Sequence, residues 1–141
     1  MKATVTWEDG VSFAAQSETG HRVVMDGPPD LGGRDLGPRP MEMLLMGMGG
    51  CASFDVLTIL QKSRQDVTGC VAEVDAERAD AVPAVFTKIH LKFIVTGRGL
   101  KESIVKRAVS MSAEKYCSAS IMMEAAGVDV THSYEMVELQ D

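Results

Sequence analysis

Residues 40–64 read PMEMLLMGMGGCASFDVLTILQKSR, the longest apolar run in the chain, with Cys51 near its middle. A helix that is apolar nearly all round belongs in the centre of a core. Pro40 suits the first helical turn, and Lys62 and Arg64 suit the C-terminal end, where cations are favoured. We therefore predict a central buried helix over residues 40–64. One small sheet cannot cover it, so its remaining face predicts packing on a second copy of the chain, in a homodimer.

The alternative for this run is a membrane span, because its length is about right for one. Glu42, Asp55 and Gln61 interrupt the run with polar groups, and three glycines lie just before Cys51. Such residues are unfavourable in lipid, so we expect no membrane insertion.

The bulk composition predicts a single domain over residues 1–141. The apolar fraction of 45% and the charged fraction of 24% are ordinary for a globular protein. A net charge of −6 gives no general support to a nucleic-acid partner. The first ten residues contain no hydrophobic signal region, so the expected location is the cytoplasm. Three cysteines in that compartment are expected to be reduced thiols.

The residues before the central helix predict three strands and a long loop. Alternation places Ala3, Val5 and Trp7 on one buried face of a strand over residues 2–9. Asp-Gly and Thr-Gly turns then separate two further strands. The loop over residues 26–39 is rich in Gly and Pro, and its length predicts a functional role or a subunit contact. The expected strands are residues 2–9, 11–15 and 21–25.

After the helix, residues 66–69 form an expected turn, and strands and helices then alternate less regularly. Strands that cluster rather than alternate strictly with helices indicate an α+β fold. The expected elements are strands over residues 70–77, 86–96 and 128–139, and helices over residues 100–115 and 118–126.

Cys51 and Cys117 are the best candidates for chemistry. Cys117 lies at a break between two helical stretches, where the N–H groups of the second helix favour a thiolate. Two thiols that meet are the minimum for two-electron redox chemistry. Structural buried thiols remain the alternative, and Cys70, on the inward face of a strand, is assigned to packing.

The three histidines give no support to a metal site. His21, His90 and His132 each stand alone in a strand, whereas a structural zinc site needs four converging ligands. A Cys-His hydrolytic pair stays open, but no motif supports it. No glycine-rich stretch has the placement of a phosphate loop. We therefore predict no metal and no cofactor.

Several stretches resemble the family of osmotically inducible protein C and organic hydroperoxide resistance protein (OsmC/Ohr). They cover nearly the whole chain, and the MGGC-x-x-x-DV pattern at residues 48–56 looks closest to the YhfA-like branch. The other stretches are VTWEDG at residues 5–10, PMEML at 40–44, AEKYCS at 113–118 and VTHSY at 130–134.

The resemblance implies an intertwined α+β homodimer in which a six-stranded sheet wraps two central helices. It also implies thiol-dependent reduction of organic hydroperoxides in oxidative-stress defence. Cys51 would be the peroxidatic thiolate, and Cys117 would resolve its sulfenic acid as a disulfide. A dithiol reductant such as a lipoyl protein would restore the thiols.

One departure from the family pattern concerns the groups that assist the thiolate. Active members place a carboxylate ten residues before the first cysteine and pair it with an arginine of the N-terminal sheet. Here that position is Met41, with Glu42 as its neighbour, and the arginine would be Arg22 or Arg39. The departure favours an alternative function, a non-catalytic binding or redox-sensing module that holds an apolar molecule in the dimer cleft.

Overall fold

The computed structural model describes residues 1–140, in which six strands and three helices follow one another. The strands are β1 (Ala3–Asp9), β2 (Ser12–Ser17), β3 (Arg22–Met25), β4 (Asp66–Arg78), β5 (Phe86–Arg98) and β6 (Asp129–Glu138). The helices are α1 (Pro40–Lys62), α2 (Glu102–Met111) and α3 (Ser118–Ala125). The predicted α+β class is confirmed. The chain divides into two compact units, Met1–Leu44 and a second that begins at Leu45.

The N-terminal unit contains an antiparallel sheet in the order β1-β2-β3. Gly10 turns the chain between β1 and β2 with a φ of +55°, which a residue with a side chain rarely adopts. The indole nitrogen of Trp7 donates a hydrogen bond of 2.9 Å to the carbonyl of Gly10, which closes the turn. The predicted hairpin therefore forms at the expected Asp-Gly step.

The buried face predicted for β1 is wrong for the single chain. Val5 and Trp7 are 56% and 65% exposed. Their cross-strand partners are Ala15 and Phe13, and Phe13 is also exposed. Because paired residues share a face of the sheet, these side chains form a continuous apolar surface. The alternation identified this face correctly, but the single chain leaves it exposed.

The segment between β3 and α1 is irregular apart from a 3₁₀ turn at Pro29–Leu31. It is organised by Asp26, whose buried carboxylate accepts N–H bonds from Gly27 at 2.7 Å and from Arg34 and Leu36 at 3.2 Å. Burial raises the pKa of Asp26, but the three donors and the charge of Arg34 outweigh it, so the pKa lies below its usual value. The predicted functional role of this loop stays a prediction.

The long helix α1 ends two residues earlier than predicted and buries only one stripe. Its opposite surface leaves Met46 59% and Phe54 72% exposed, so burial all round is wrong for the single chain. The buried positions recur at helical spacing: Met48, Gly49, Ala52, Val56 and Leu60. By length and composition α1 could span a membrane, which is weak evidence because core helices of soluble proteins meet the same criteria.

The second unit is built on the sheet β4-β5-β6, in which β5 pairs antiparallel with β4 and parallel with β6. The inward side chains of β5 are at most 1% exposed, as the alternation predicts: Ile89, Leu91, Phe93 and Val95. The turn expected at residues 66–69 is wrong, because β4 already pairs at Asp66 and passes through an irregularity between Val67 and Gly69. The six strands within residues 1–140 thus form two sheets of three. The six-stranded sheet that the family resemblance implies does not form within this single described chain.

The helical region after β5 is divided differently from the prediction. α2 ends at Met111, and a π-helical turn, Ser112–Tyr116, occupies the end of the helix expected over residues 100–115. The chain becomes extended at Cys117, with φ −74° and ψ 103°, and α3 begins at once. Gly127, with a φ of +94°, follows α3 as expected for a helix stop. π-helical turns are frequent at functional sites, and Cys117 directly follows this one.

Candidate functional site

Three side chains of the second unit converge on one point. Cys51 and Asp55 lie one turn apart on α1, and Cys117 immediately precedes α3. The two sulfur atoms and a carboxylate oxygen of Asp55 all lie within 4.8 Å of one another. Both cysteines are free thiols, with Cys117 buried and Cys51 partly buried. The structure therefore brings together two thiols that are 66 positions apart in the chain.

The turn before α3 fixes the position of Cys117. The N–H of Cys117 donates to the carbonyl of Ser112 at 2.8 Å, which closes the π-turn. The buried hydroxyl of Ser112 in turn donates to the carbonyl of Ala52 at 3.0 Å. Ala52 directly follows Cys51 on α1. This chain of hydrogen bonds ties the backbone around one cysteine to the backbone beside the other.

Ser120 supports the sulfur of Cys117 directly. The backbone N–H of Ser120 donates to Sγ at 3.4 Å, and its hydroxyl donates at 3.1 Å. The cysteine thus acts as the N-terminal cap of α3, a position that Ser, Thr, Asp or Asn usually fills. Sequence reasoning missed Ser120. Its position three residues after Cys117, in the first turn of the predicted helix, was the available signal.

The electrostatic balance at Cys117 differs from the prediction. Burial raises the pKa of Cys117, and the neighbouring Cys51 raises it further through a hydrogen bond and charge repulsion. The two donors of Ser120 lower it, as expected at a helix start, but they do not outweigh burial. The expectation that this setting favours a thiolate is therefore wrong. Desolvation of the negative sulfur is the larger effect.

Asp55 is the third member of the cluster. Its spacing of four residues from Cys51 places both on the same face of α1. Burial raises the pKa of its carboxyl group. Within residues 1–140, its buried Oδ2 atom has no hydrogen-bond partner. A buried polar atom without a partner is costly and calls for an explanation.

A shallow groove of about 290 Å³ shares Asp55 with the thiol cluster. Its other lining residues are Thr58, Ile59, Lys62 and Tyr116. The ammonium group of Lys115 lies 5.6 Å from the centre of the Tyr116 ring, within range of a cation–π interaction. The groove therefore combines the apolar side chain of Ile59 with the cationic side chain of Lys62.

Glu42, Arg22 and Arg39 lie in the N-terminal unit, where each takes part in ion pairs. Arg39 is 2.9 Å from a carboxylate oxygen of Asp35 and 3.8 Å from one of Glu42. Arg22 pairs with Glu8. Their predicted part in the chemistry stays a prediction.

Cys70 and His90 lie elsewhere in the second unit. Cys70 is half-buried on β4 opposite Val95, and burial raises the pKa of its thiol. Its position agrees with the packing role assigned to it. The ring nitrogens of His90 form hydrogen bonds with the hydroxyls of Thr131 at 2.6 Å and Ser133 at 2.8 Å. Both nitrogens are therefore already satisfied.

The structure is thus that of an α+β protein in which two thiols and a carboxyl group meet at one point. Comparison identifies the family: a family model described as OsmC-like protein matches residues 32–133. The chain belongs to this family, as the sequence resemblance predicts.

Individual relatives support the assignment. The chain is 51% identical over 137 residues to Protein YhfA of Escherichia coli strain K12, covering 97% of this chain and 98% of that one. A solved structure of a hypothetical protein from Aquifex aeolicus is 25% identical with a TM-score of 0.85, covering 99% and 97%. An organic hydroperoxide resistance protein OsmC from Legionella pneumophila is 16% identical with a TM-score of 0.69, covering 95% of each chain, which shows a shared fold.

Proposed function

We propose that this protein reduces organic hydroperoxides through Cys51 and Cys117, in defence against oxidative stress. The observation that carries the proposal is the separation of the two sulfur atoms, within 4.8 Å. Support for the substrate class comes from the family and from the fold shared with an organic hydroperoxide resistance protein.

In the first proposed step, the thiolate of Cys51 attacks the terminal oxygen of the hydroperoxide. The O–O bond breaks, and the sulfur keeps that oxygen as a sulfenic acid. The alkoxide that leaves takes a proton from water and departs as the alcohol. Cys51 suits this role because it is more exposed than Cys117 and so easier for a substrate to reach.

In the second proposed step, the thiolate of Cys117 attacks the sulfur of the sulfenic acid. The S–O bond breaks, hydroxide leaves and is protonated to water, and a disulfide joins Cys51 and Cys117. A dithiol, such as a lipoyl protein, then reduces the disulfide by two exchanges. Two thiols and one hydroperoxide thus give one disulfide, one alcohol and one water.

The hydrogen bonds around Cys117 support its role as the resolving thiol. Ser120 holds its sulfur from two donors, and Ser112 links its turn to α1 beside Cys51. The resolving sulfur is therefore fixed close to its target before the first step takes place. Burial delays formation of its thiolate, so we expect resolution to be slower than in a site with a cation beside this thiol.

The proposed functional unit is a cytoplasmic homodimer. Support comes from two exposed apolar surfaces, one in each unit of the chain. The first is the face of the N-terminal sheet that includes Val5 and Trp7, and the second is the part of α1 that includes Met46 and Phe54. A second copy of the chain could cover both. Glu42 and one of Arg22 or Arg39 stay proposed as assisting residues.

A redox-sensing module is the second candidate, and the electrostatics of the cluster favour it. Burial and the neighbouring Cys51 raise the pKa of Cys117, and a carboxylate oxygen of Asp55 lies within 4.8 Å of both sulfur atoms. Such a pair would form its disulfide slowly and serve as a switch. An apolar molecule held at the dimer cleft would be its ligand.

One measurement separates the two candidates. Reduced protein is mixed with one equivalent of cumene hydroperoxide, quenched at intervals and analysed by mass spectrometry of its peptides. A Cys51–Cys117 disulfide that forms within seconds supports the peroxidase. Formation over an hour supports the switch, and free thiols after that time contradict both.

Three variants assign the roles. Cys51→Ser should abolish hydroperoxide consumption with a dithiol, a loss of at least about a hundredfold. Cys117→Ser should accumulate a sulfenic acid that dimedone traps. Cys70→Ser is the matched control, because it removes a half-buried thiol of another element and should keep full activity. Full activity in the first two variants would contradict the proposal.

A further inference from the structure

We propose that Cys51, Asp55 and Cys117 also form a binding site for a zinc ion in the reduced protein. The site is defined by the three ligand atoms that lie within 4.8 Å of one another, and by the buried Oδ2 of Asp55, which has no hydrogen-bond partner among residues 1–140. The inference goes beyond peroxide chemistry, since it needs no turnover.

The spacing of the ligand atoms suits a tetrahedral ion. Zinc–sulfur bonds of about 2.3 Å and zinc–oxygen bonds of about 2.0 Å place ligand atoms about 3.5–3.8 Å apart. From separations of at most 4.8 Å, small side-chain rotations bring the ligands to that distance. Cys51 and Asp55 share one face of a rigid helix, so two of the three ligands are already arranged. Three protein ligands leave the fourth position to water.

The surroundings of the ligands resemble those of a metal site. Thiolate ligands in proteins are commonly supported by hydrogen bonds from outside the coordination sphere. Ser120 provides two such bonds to the sulfur of Cys117. Ser112 holds the turn before that sulfur against α1. These donors orient Cys117 whether it attacks a sulfenic acid or binds an ion.

The charge of the cluster also favours a cation. Two thiols and a carboxyl group cannot all ionise within 4.8 Å of one another at low cost, so the free site keeps protons. A bound zinc ion removes that repulsion, deprotonates the thiols and provides Asp55 with the partner it lacks. Binding therefore releases protons to the solvent.

The ligand type selects the metal. Two sulfurs and one oxygen favour zinc or cobalt over magnesium and calcium, which prefer oxygen ligands only. The same two sulfurs cannot bind zinc and form a disulfide at once. Zinc binding and oxidation are therefore mutually exclusive, and bound zinc shields both thiols from hydroperoxides.

The test is a calorimetric titration of reduced, chelator-treated protein with zinc. No peroxide is present. We expect one ion per chain with a Kd of about 1 µM or tighter. Cobalt in place of zinc should give a sulfur-to-cobalt charge-transfer band, which reports thiolate ligands without any mutation. Magnesium at the same concentration should give no heat.

Variants define the ligand set. Cys51→Ser and Cys117→Ser should each weaken binding by about a hundredfold, and Asp55→Asn by about tenfold. Cys70→Ser is the control, because it also removes one thiol but at a position outside the cluster. The Kd of this variant for zinc should be unchanged. Circular dichroism at the temperature of the titration confirms that each variant is folded.

Several outcomes would overturn the inference. They are a wild-type Kd above about 100 µM, cobalt binding without the charge-transfer band, and equal affinity in Cys51→Ser. An unchanged Kd in Asp55→Asn would show that Asp55 is not a ligand and would contradict the three-ligand site. Because no hydroperoxide is present, loss of zinc binding leaves the peroxidase proposal standing, and loss of peroxidase activity leaves this one standing.

Discussion

Strands β1 and β5 carry the same alternation of apolar and polar residues, but their environments differ completely. Leu91 and Phe93 of β5 are at most 1% exposed, whereas Val5 and Trp7 of β1 are more than half exposed. β5 is the middle strand of its sheet, and β1 is an edge strand. Alternation therefore shows which residues share a face of a strand, but not which element covers that face.

The contrast extends to the two units as wholes. The buried residues of Met1–Leu44 are Ser12, Ala14 and Asp26, of which two are polar. The second unit buries apolar side chains from strand β5 and from helices α1 and α2, among them Leu60, Ile89 and Val105. The second unit thus has a core of its own. The N-terminal unit has an exposed apolar face that includes Val5 and Trp7. The homodimer proposed above would cover this face.

The largest expected effect concerns the core of the second unit. Phe93→Ala should lower the free energy of unfolding by about 3–5 kcal/mol, because it leaves a cavity beneath a fully buried ring. Urea denaturation followed by circular dichroism measures the change. Val82→Ala is the control at a fully exposed position and should change stability by less than about 0.5 kcal/mol. Equal losses in both variants would contradict the assignment of the core.

The second effect tests what covers the N-terminal sheet. Trp7→Lys places a charge in the exposed apolar face and should convert the proposed dimer to a monomer, with an affinity at least about a hundredfold weaker. Sedimentation equilibrium over a range of protein concentrations measures the dissociation constant. In this variant Cys51 and Cys117 should remain free thiols, as in the wild type.

The matched control for that variant lies on the same strand. Thr6→Lys adds the same charge on the opposite face of β1, next to Trp7 in the chain. It should leave the dissociation constant within about threefold of the wild-type value. Two equally weakened dimers would show that added charge, rather than loss of the apolar face, causes dissociation. A wild-type monomer would contradict the dimer itself.

The elements were largely predictable from the sequence, because local signals determine them. Pro40 begins α1, Gly127 follows α3 and Asp-Gly turns the first hairpin, all as expected. The boundary of α2 was not predictable. It falls at the π-turn Ser112–Tyr116, whose first residue donates a hydrogen bond to the carbonyl of Ala52, 60 residues away in the chain. Periodicity carries no information on such a bond.

Two residues of the candidate site, Cys51 and Cys117, could be selected from the sequence, whereas Ser120 and the electrostatic balance of the site could not. Cys51 and Cys117 stood out through their flanking motifs. The balance between burial and the donors of Ser120 depends on how deeply the sulfur of Cys117 is buried, which only the folded chain determines. For the same reason, the unpartnered Oδ2 of Asp55 could not be foreseen.

The smallest effect concerns the loop around Asp26, the buried charge of the N-terminal unit. Asp26→Asn removes the charge that accepts the N–H groups of Arg34 and Leu36, so these amides should exchange with deuterium about tenfold faster at pH 7. NMR-detected exchange measures the rates. The exposed Asp30→Asn in the same loop is the control and should leave both rates unchanged.

The pH dependence of this effect has a definite sign. The folded pKa of Asp26 lies below its ordinary value of 3.8, so its ionised form binds these donors more tightly than the neutral form. Its contribution is complete above pH 3.8 and is lost as the pH falls through the lower folded value. The ratio of exchange rates between variant and wild type should therefore be constant from pH 7 to pH 5 and should shrink toward one in stronger acid. A ratio that grows in acid would mean that the neutral carboxyl holds the loop. In that case the buried charge of Asp26 would not stabilise the N-terminal unit. The comparison with the second unit, which an apolar core stabilises, would then fail.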